Sequence, residues 1–152
     1  MIHLYNGDPY QSIQYCFISI TNADGNFFPV ALHDAPNVLT LQFDDITYQF
    51  GDLKLFTKEQ AKQIIDFLTR NLDKGYCVVH CTAGISRSGA VATFIHKWIG
   101  TATDDEFKVI NPNIFPNSHV FKTLCDEVGL NMTQEDYESL FDNEGYTDII
   151  FK

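Results

Sequence analysis

The segment Tyr76–Ile99 constrains the fold more than any other part of the chain. Tyr76-Cys77-Val78-Val79-His80-Cys81 is a short run rich in valine with no charged residue, the pattern of a strand buried on both faces. Small residues follow, Thr82-Ala83-Gly84-Ile85-Ser86, then Arg87, and then an apolar run at helical spacing from Ser88 to Ile99 that Gly100 ends. A strand, a tight loop and a helix in this order belong to an α/β layer, so the rest of the chain must supply neighbouring strands and covering helices.

It does. The β-like runs Met1–Tyr5, Tyr15–Ile20 and Val38–Phe43 alternate with turn clusters such as Asn22-Ala23-Asp24-Gly25-Asn26. Thr57-Lys58-Glu59-Gln60 is a capping box, and Ala61, Ile64, Ile65, Leu68 and Leu72 follow at helical spacing until Lys74-Gly75. Thr103-Asp104-Asp105-Glu106 is a second capping box, opening a short helix that Asn111-Pro112 stops. Asn117 or Ser118 caps a further helix running through Val128-Gly129. The expected fold class is α/β, a central, mostly parallel twisted sheet flanked by helices, with the Cys81–Arg87 loop between a central strand and a helix.

At 152 residues, 45% hydrophobic and without repeats or long linkers, the chain is expected to form a single domain over residues 1–152. Its segment from about 131 to 152 is acidic and is expected to be solvated or partly ordered rather than a docking tail for a basic partner. Ten basic against twenty acidic residues, a net charge of −10, argue against nucleic acid or an anionic membrane surface as partner. No apolar run reaches the length of about 18 residues that spans a membrane, and Met1-Ile2-His3-Leu4-Tyr5 lacks the features of a secretory signal, so a cytoplasmic location is expected. In that compartment Cys16, Cys77, Cys81 and Cys125 read as reduced thiols.

Several chemistries compete for the loop. Gly84 and Gly89 have the spacing of a nucleotide phosphate loop, but Ala90-Val91 stands where that motif needs Lys and Ser or Thr. A serine-hydrolase elbow needs glycine where Ser88 sits. Strand alternation sends Cys77 and Cys81 to one face and His80 to the other, which argues against zinc; no metal or other cofactor is expected. What remains is a dianion cradle. The turn formed by Thr82, Ala83, Gly84, Ile85 and Ser86 points backbone N–H groups inward, the following helix adds its positive end, and Arg87 offers a planar bidentate partner for phosphate oxygens. The same field lowers the pKa of Cys81 and makes it a nucleophile. The competing role for Cys81 alone is that of a small buried hydrophobe, but a core loop has no reason to bury an unpaired guanidinium beside it.

His80-Cys81-Thr82-Ala83-Gly84-Ile85-Ser86-Arg87-Ser88-Gly89 resembles the signature of the cysteine-dependent protein tyrosine phosphatase superfamily, in the form used by its dual-specificity branch. Phe115-Pro116-Asn117-Ser118-His119-Val120-Phe121 resembles the helix that follows the signature there. The resemblance runs from about Val38 to Gly129 and fits a compact phosphatase of the small bacterial or viral kind. It implies a cysteinyl-phosphate mechanism on a phosphorylated protein or peptide, with phosphotyrosine as substrate and phosphoserine or phosphothreonine as alternatives. Cys81 would be the nucleophile and Arg87 the phosphate clamp. Ser88 would donate to the departing thiolate, His80 would fix the loop through its ring, and Asn117 would brace it from outside. The family's general acid would lie at the end of Leu39-Thr40-Leu41-Gln42-Phe43-Asp44-Asp45. Asp45 matches best, with Asp44 and Asp52 as alternatives. The rival reading is a catalytically weak or inactive phosphatase-like module that only binds phosphate groups.

Tyr48, Phe50, Phe56 and Phe115 are candidates for a phosphotyrosine pocket, though none stands out in a chain with thirteen phenylalanines. His33, His96 and His119 receive no role, and the sequence assigns no oligomeric state.

Overall fold

The computed structural model describes residues 2–3, 15–25, 37–100 and 102–140. Four strands form one sheet in the order β1 (Ile2–His3), β4 (Tyr76–His80), β2 (Tyr15–Thr21), β3 (Val38–Gln42). β2 runs parallel to both β3 and β4, and β1 is an antiparallel edge. The helices are α1 (Lys58–Arg70), α2 (Arg87–Ile99), α3 (Asp104–Ile110), α4 (Ser118–Val128) and α5 (Gln134–Leu140). The mostly parallel α/β sheet expected from the sequence is thus present. Of the run Met1–Tyr5 only Ile2–His3 is described, and Asn26 and His33 lie outside the described residues.

Strand alternation builds the core. Cys16, Ile18 and Ile20 of β2 are fully buried, and the register sets Ile18 beside Leu39 and Val79, Ile20 beside Leu41 and Cys16 beside Cys77. α1, α2 and α4 close over this stripe, contributing the buried Ile64, Leu68, Val91, Phe94, Ile95, Val120, Phe121 and Leu124. Each such side chain contributes roughly 1.5–3 kcal/mol by leaving water. The expectation that the central strand is buried on both faces is met only in part. Cys77 is fully buried, whereas Tyr76, Val78, Val79 and His80 are half-buried.

Both capping boxes form: Thr57 and Gln60 exchange hydrogen bonds at the start of α1, and Thr103 and Glu106 at the start of α3. α1 ends sooner than its apolar spacing suggests. The Asn71 backbone N–H donates to the Leu68 carbonyl and its Nδ2 to the Phe67 carbonyl (2.8 Å), which terminates the helix at Arg70. Leu72 therefore falls beyond it and is exposed, and Phe67 takes the buried position instead. Asn117, not Ser118, caps α4, its Oδ1 accepting from the Val120 N–H at 3.0 Å.

The acidic C-terminal segment begins with structure. Tyr137 of α5 is buried, its ring 5.4 Å from that of Phe121 and its hydroxyl donating to the Pro116 carbonyl at 3.2 Å. Tyr137→Ala is expected to cost roughly 3 kcal/mol in urea denaturation, the scale of a deleted buried aromatic ring. No helix among the described residues is long and apolar enough to cross a membrane.

Candidate active site

Between the end of β4 and the start of α2 the chain turns tightly through Cys81–Ser86, with Gly84 in the left-handed region (φ 70°) that a side chain resists. Residues 114–117 brace this loop: the Phe115 N–H donates to the Ile85 carbonyl and the Asn117 N–H to the Ser86 carbonyl, both at 3.1 Å. The approach is close enough that a Cβ on Gly89 would sit 3.1 Å from Ile114 Cβ, which is why α2 opens with a glycine in its first turn.

Cys81 is buried, 7% exposed, with Sγ 3.2 Å from Ser88 Oγ. Burial pushes the thiol up, but hydrogen bonds from the Ser88 hydroxyl and from the Ser88, Gly84 and Ile85 amides outweigh it, and the net pKa lies below the ordinary value. The donors that lower it are the serine and the loop and helix amides.

Arg87 is 4% exposed and held from two sides. Nη1 donates to the Phe43 carbonyl at 2.7 Å, Nη2 to Thr82 Oγ1 at 3.2 Å, and the guanidinium lies 6.0 Å from the centre of the Phe43 ring. Nε is buried and has no hydrogen-bond partner among the described residues. A buried guanidinium N–H without an acceptor is costly, and an anion in the loop would relieve it.

The three candidate acids part company here. Asp44 is spent on its own loop: its carboxylate accepts from the Ala23 N–H (3.2 Å) and the Lys54 N–H (2.7 Å). Asp52 sits on an exposed turn and lines a cavity of about 520 Å³ with Asp24 and Asp44. Of the three, Asp45 alone reaches the Cys81–Arg87 loop, Oδ1 accepting from Ser86 Oγ at 2.8 Å and from Asn117 Nδ2 at 2.9 Å. Asp45, Ser86 and Asn117 line a cavity of about 410 Å³ together with Tyr48, Phe50 and Phe115. Phe56, a candidate for the same pocket, is instead a core residue 4.8 Å from the Phe43 ring.

His80 does not brace the loop through its outer ring nitrogen. Nε2 is buried without a partner among the described residues, beside Ser19 in register, and desolvation lowers the imidazole pKa. His96 and His119 have structural partners: His96 Nε2 lies 2.7 Å from Asp104 Oδ1, with the ring stacked on Phe107, and His119 Nε2 lies 2.9 Å from the Phe56 carbonyl.

Three contributions escaped sequence reasoning: the Phe43 carbonyl on Arg87, the Thr82 hydroxyl on Arg87, and the Ser86 hydroxyl on Asp45. Phe43 carried no signal, since any residue supplies a carbonyl. Ser86 stands at the N-cap position of α2 without making a side-chain capping bond, although such a bond is typically worth about 1 kcal/mol.

No family model matches the sequence, and no curated protein does. Among solved structures, the human tyrosine phosphatase-like serine/threonine/tyrosine-interacting protein aligns with a TM-score of 0.52 at 20% identity, over 85% of this chain and 78% of that one. DUSP15 aligns with a TM-score of 0.48 at 24% identity, over 88% of this chain and 80% of that one. The fold of this chain is thus similar to that of a tyrosine phosphatase-like protein.

Proposed function

We propose that this protein is a cysteine-dependent phosphatase that hydrolyses phosphotyrosine in proteins or peptides, with phosphoserine and phosphothreonine as the competing substrate class. The observation that carries this reading is the placing of the Cys81 sulfur 3.2 Å from the Ser88 hydroxyl, at the mouth of the same loop in which Arg87 is buried with an unpaired Nε among the described residues. The Ser88 hydroxyl and the Ser88, Gly84 and Ile85 amides aimed at that sulfur pull its thiol down against burial, whereas burial pushes Cys125 up to about 11.

The positions of the groups support the following reaction. The Cys81 thiolate attacks phosphorus in line, and Arg87 with the loop amides neutralises the phosphoryl oxygens. The P–O bond breaks with its electron pair on the phenol oxygen, whose conjugate acid has a pKa of about 10 and which takes a proton from Asp45. Water then attacks the cysteinyl-phosphate and gives a proton to Asp45. The P–S bond breaks, and the leaving thiolate is received by the Ser88 hydroxyl, already 3.2 Å away.

Turnover of an aryl phosphate, with a phosphorylated cysteine trapped at Cys81 by acid quench and unaffected by a metal chelator, is the expected result. Binding of phosphotyrosine or vanadate without turnover would replace the enzyme by a phospho-binding module. Iodoacetate at pH 7 is expected to carboxymethylate Cys81 well before Cys77 or Cys125. The hydrogen bond that the Cys77 thiol donates to Cys16, together with burial, holds Cys77 well above its ordinary value, and burial holds Cys125 high. Peptide mass mapping with and without vanadate checks it, because vanadate in the cradle should protect Cys81 alone.

Asp45→Asn is expected to lower kcat with phenyl phosphate by about 10²-fold or more, the usual contribution of a positioned acid. Asp52→Asn should leave kcat within about twofold, because a charge on an exposed turn away from the loop acts only through screened solvent.

A further inference from the structure

We infer that Ser86 is a positioning residue for Asp45, holding the acid loop docked on the phosphate loop before substrate arrives. This rests on the phosphatase reading and concerns the same site. Serine at a helix N-cap ordinarily turns its hydroxyl onto the second or third amide of the helix. Ser86 does not. It has αR backbone angles (φ −93°, ψ −70°), makes no side-chain capping bond, and sends Oγ to Asp45 Oδ1 at 2.8 Å, across 41 residues of sequence.

The diversion has two consequences. The first amides of α2 stay free of a side-chain cap, so the Ser88 N–H points at the Cys81 sulfur. The acid loop also gains an anchor on the loop that receives the phosphate. Its base is already fixed, because Asp44 accepts from the Ala23 and Lys54 amides and donates its own N–H to the Lys54 carbonyl at 2.8 Å. Beyond that base, the Asp45 carboxylate is held by Ser86 Oγ and Asn117 Nδ2, both on the same oxygen, and among the described residues Oδ2 has no hydrogen-bond partner. Asn117 is itself tied to Ser86, whose carbonyl accepts its N–H. Phosphate loop, acid loop and the start of α4 meet at Ser86, and Asp45 and Ser86 line one cavity with Asn117.

Leaving-group dependence separates positioning of the acid from binding of the phosphate, because a dinitrophenyl leaving group departs without a proton and a phenyl one does not. Removing one of two anchors, Ser86→Ala should lower kcat/KM with phenyl phosphate about tenfold more than with 2,4-dinitrophenyl phosphate. Ser86→Thr, which keeps the hydroxyl, should restore the wild-type ratio. In an Asp45→Asn background Ser86→Ala should add no further substrate-dependent loss, since the group it positions is gone. Equal losses on both substrates would make Ser86 a phosphate-loop residue only, and no loss on either would leave its hydroxyl without a role. Each of these outcomes overturns the inference while the phosphatase reading stands. A wild-type chain inert toward both substrates would overturn the two together.

Discussion

Cys81→Ser is expected to lower kcat toward an aryl phosphate by on the order of 10⁴-fold or more, the scale seen when a covalent nucleophile is removed. The substitution changes one atom. Serine fits the space of Cys81, keeps its partner Ser88, and leaves the Gly84, Ile85 and Ser88 amides pointing into the loop. Those donors favour the thiolate of Cys81, but a hydroxyl ionises far less readily than a thiol and stays protonated. Binding should therefore survive while chemistry does not. Vanadate or phosphotyrosine should bind Cys81→Ser within about tenfold of wild type by calorimetry, and the melting temperature should stay within a few degrees, since volume and burial are nearly unchanged. Turnover that persists in Cys81→Ser would assign the reaction to another nucleophile and remove the cysteinyl-phosphate pathway.

Arg87→Lys is expected to lower kcat/KM by about 10²–10³-fold although it keeps the charge. Lysine offers a point charge on a flexible stem. Arg87 instead uses its planar fork three ways: Nη1 on the Phe43 carbonyl, Nη2 on Thr82 Oγ1, and Nε buried in the loop without a partner. The ammonium cannot make the two fixing bonds and still present a donor to phosphate in the same geometry. A second readout separates this from simple misfolding. The Phe43 carbonyl is left without its buried donor, which should cost roughly 1–3 kcal/mol in denaturant unfolding, whereas the catalytic loss is larger and persists well below the unfolding transition. An Arg87→Lys variant with near-native kcat/KM would show that charge alone suffices and would remove the bidentate clamp from the mechanism.

Both substitutions fall on residues legible in the sequence, and the reason is proximity. Cys81, Arg87 and Ser88 lie within one loop and one helical turn, so a strand end and a helix start suffice to bring them together. The capping boxes at Thr57 and Thr103 were legible for the same reason, each being closed by a residue three positions on. The α/β class followed from the period of the apolar residues. Less local features were misread or left open. Leu72 fits the helical spacing of α1 but falls outside it because Asn71 makes a better terminus than a turn of helix. Phe56 looks like any other aromatic residue until the fold places it under Phe43.

Among Asp44, Asp45 and Asp52 the sequence offers three carboxylates near one strand end and no means of ranking them by contact. The ranking comes from distant partners: backbone amides of Ala23 and Lys54 for Asp44, Ser86 and Asn117 for Asp45, and an exposed turn for Asp52. What the sequence alone determined is the order of the elements up to α4 and the residues gathered in the Cys81–Arg87 loop, because alternation, capping and a six-residue turn are set by neighbours along the chain. What only the tertiary structure decided is which carboxylate faces that loop and what holds Arg87 in it. Those bonds close over about 40 residues or more, and their geometry exists only after the sheet and α4 have packed.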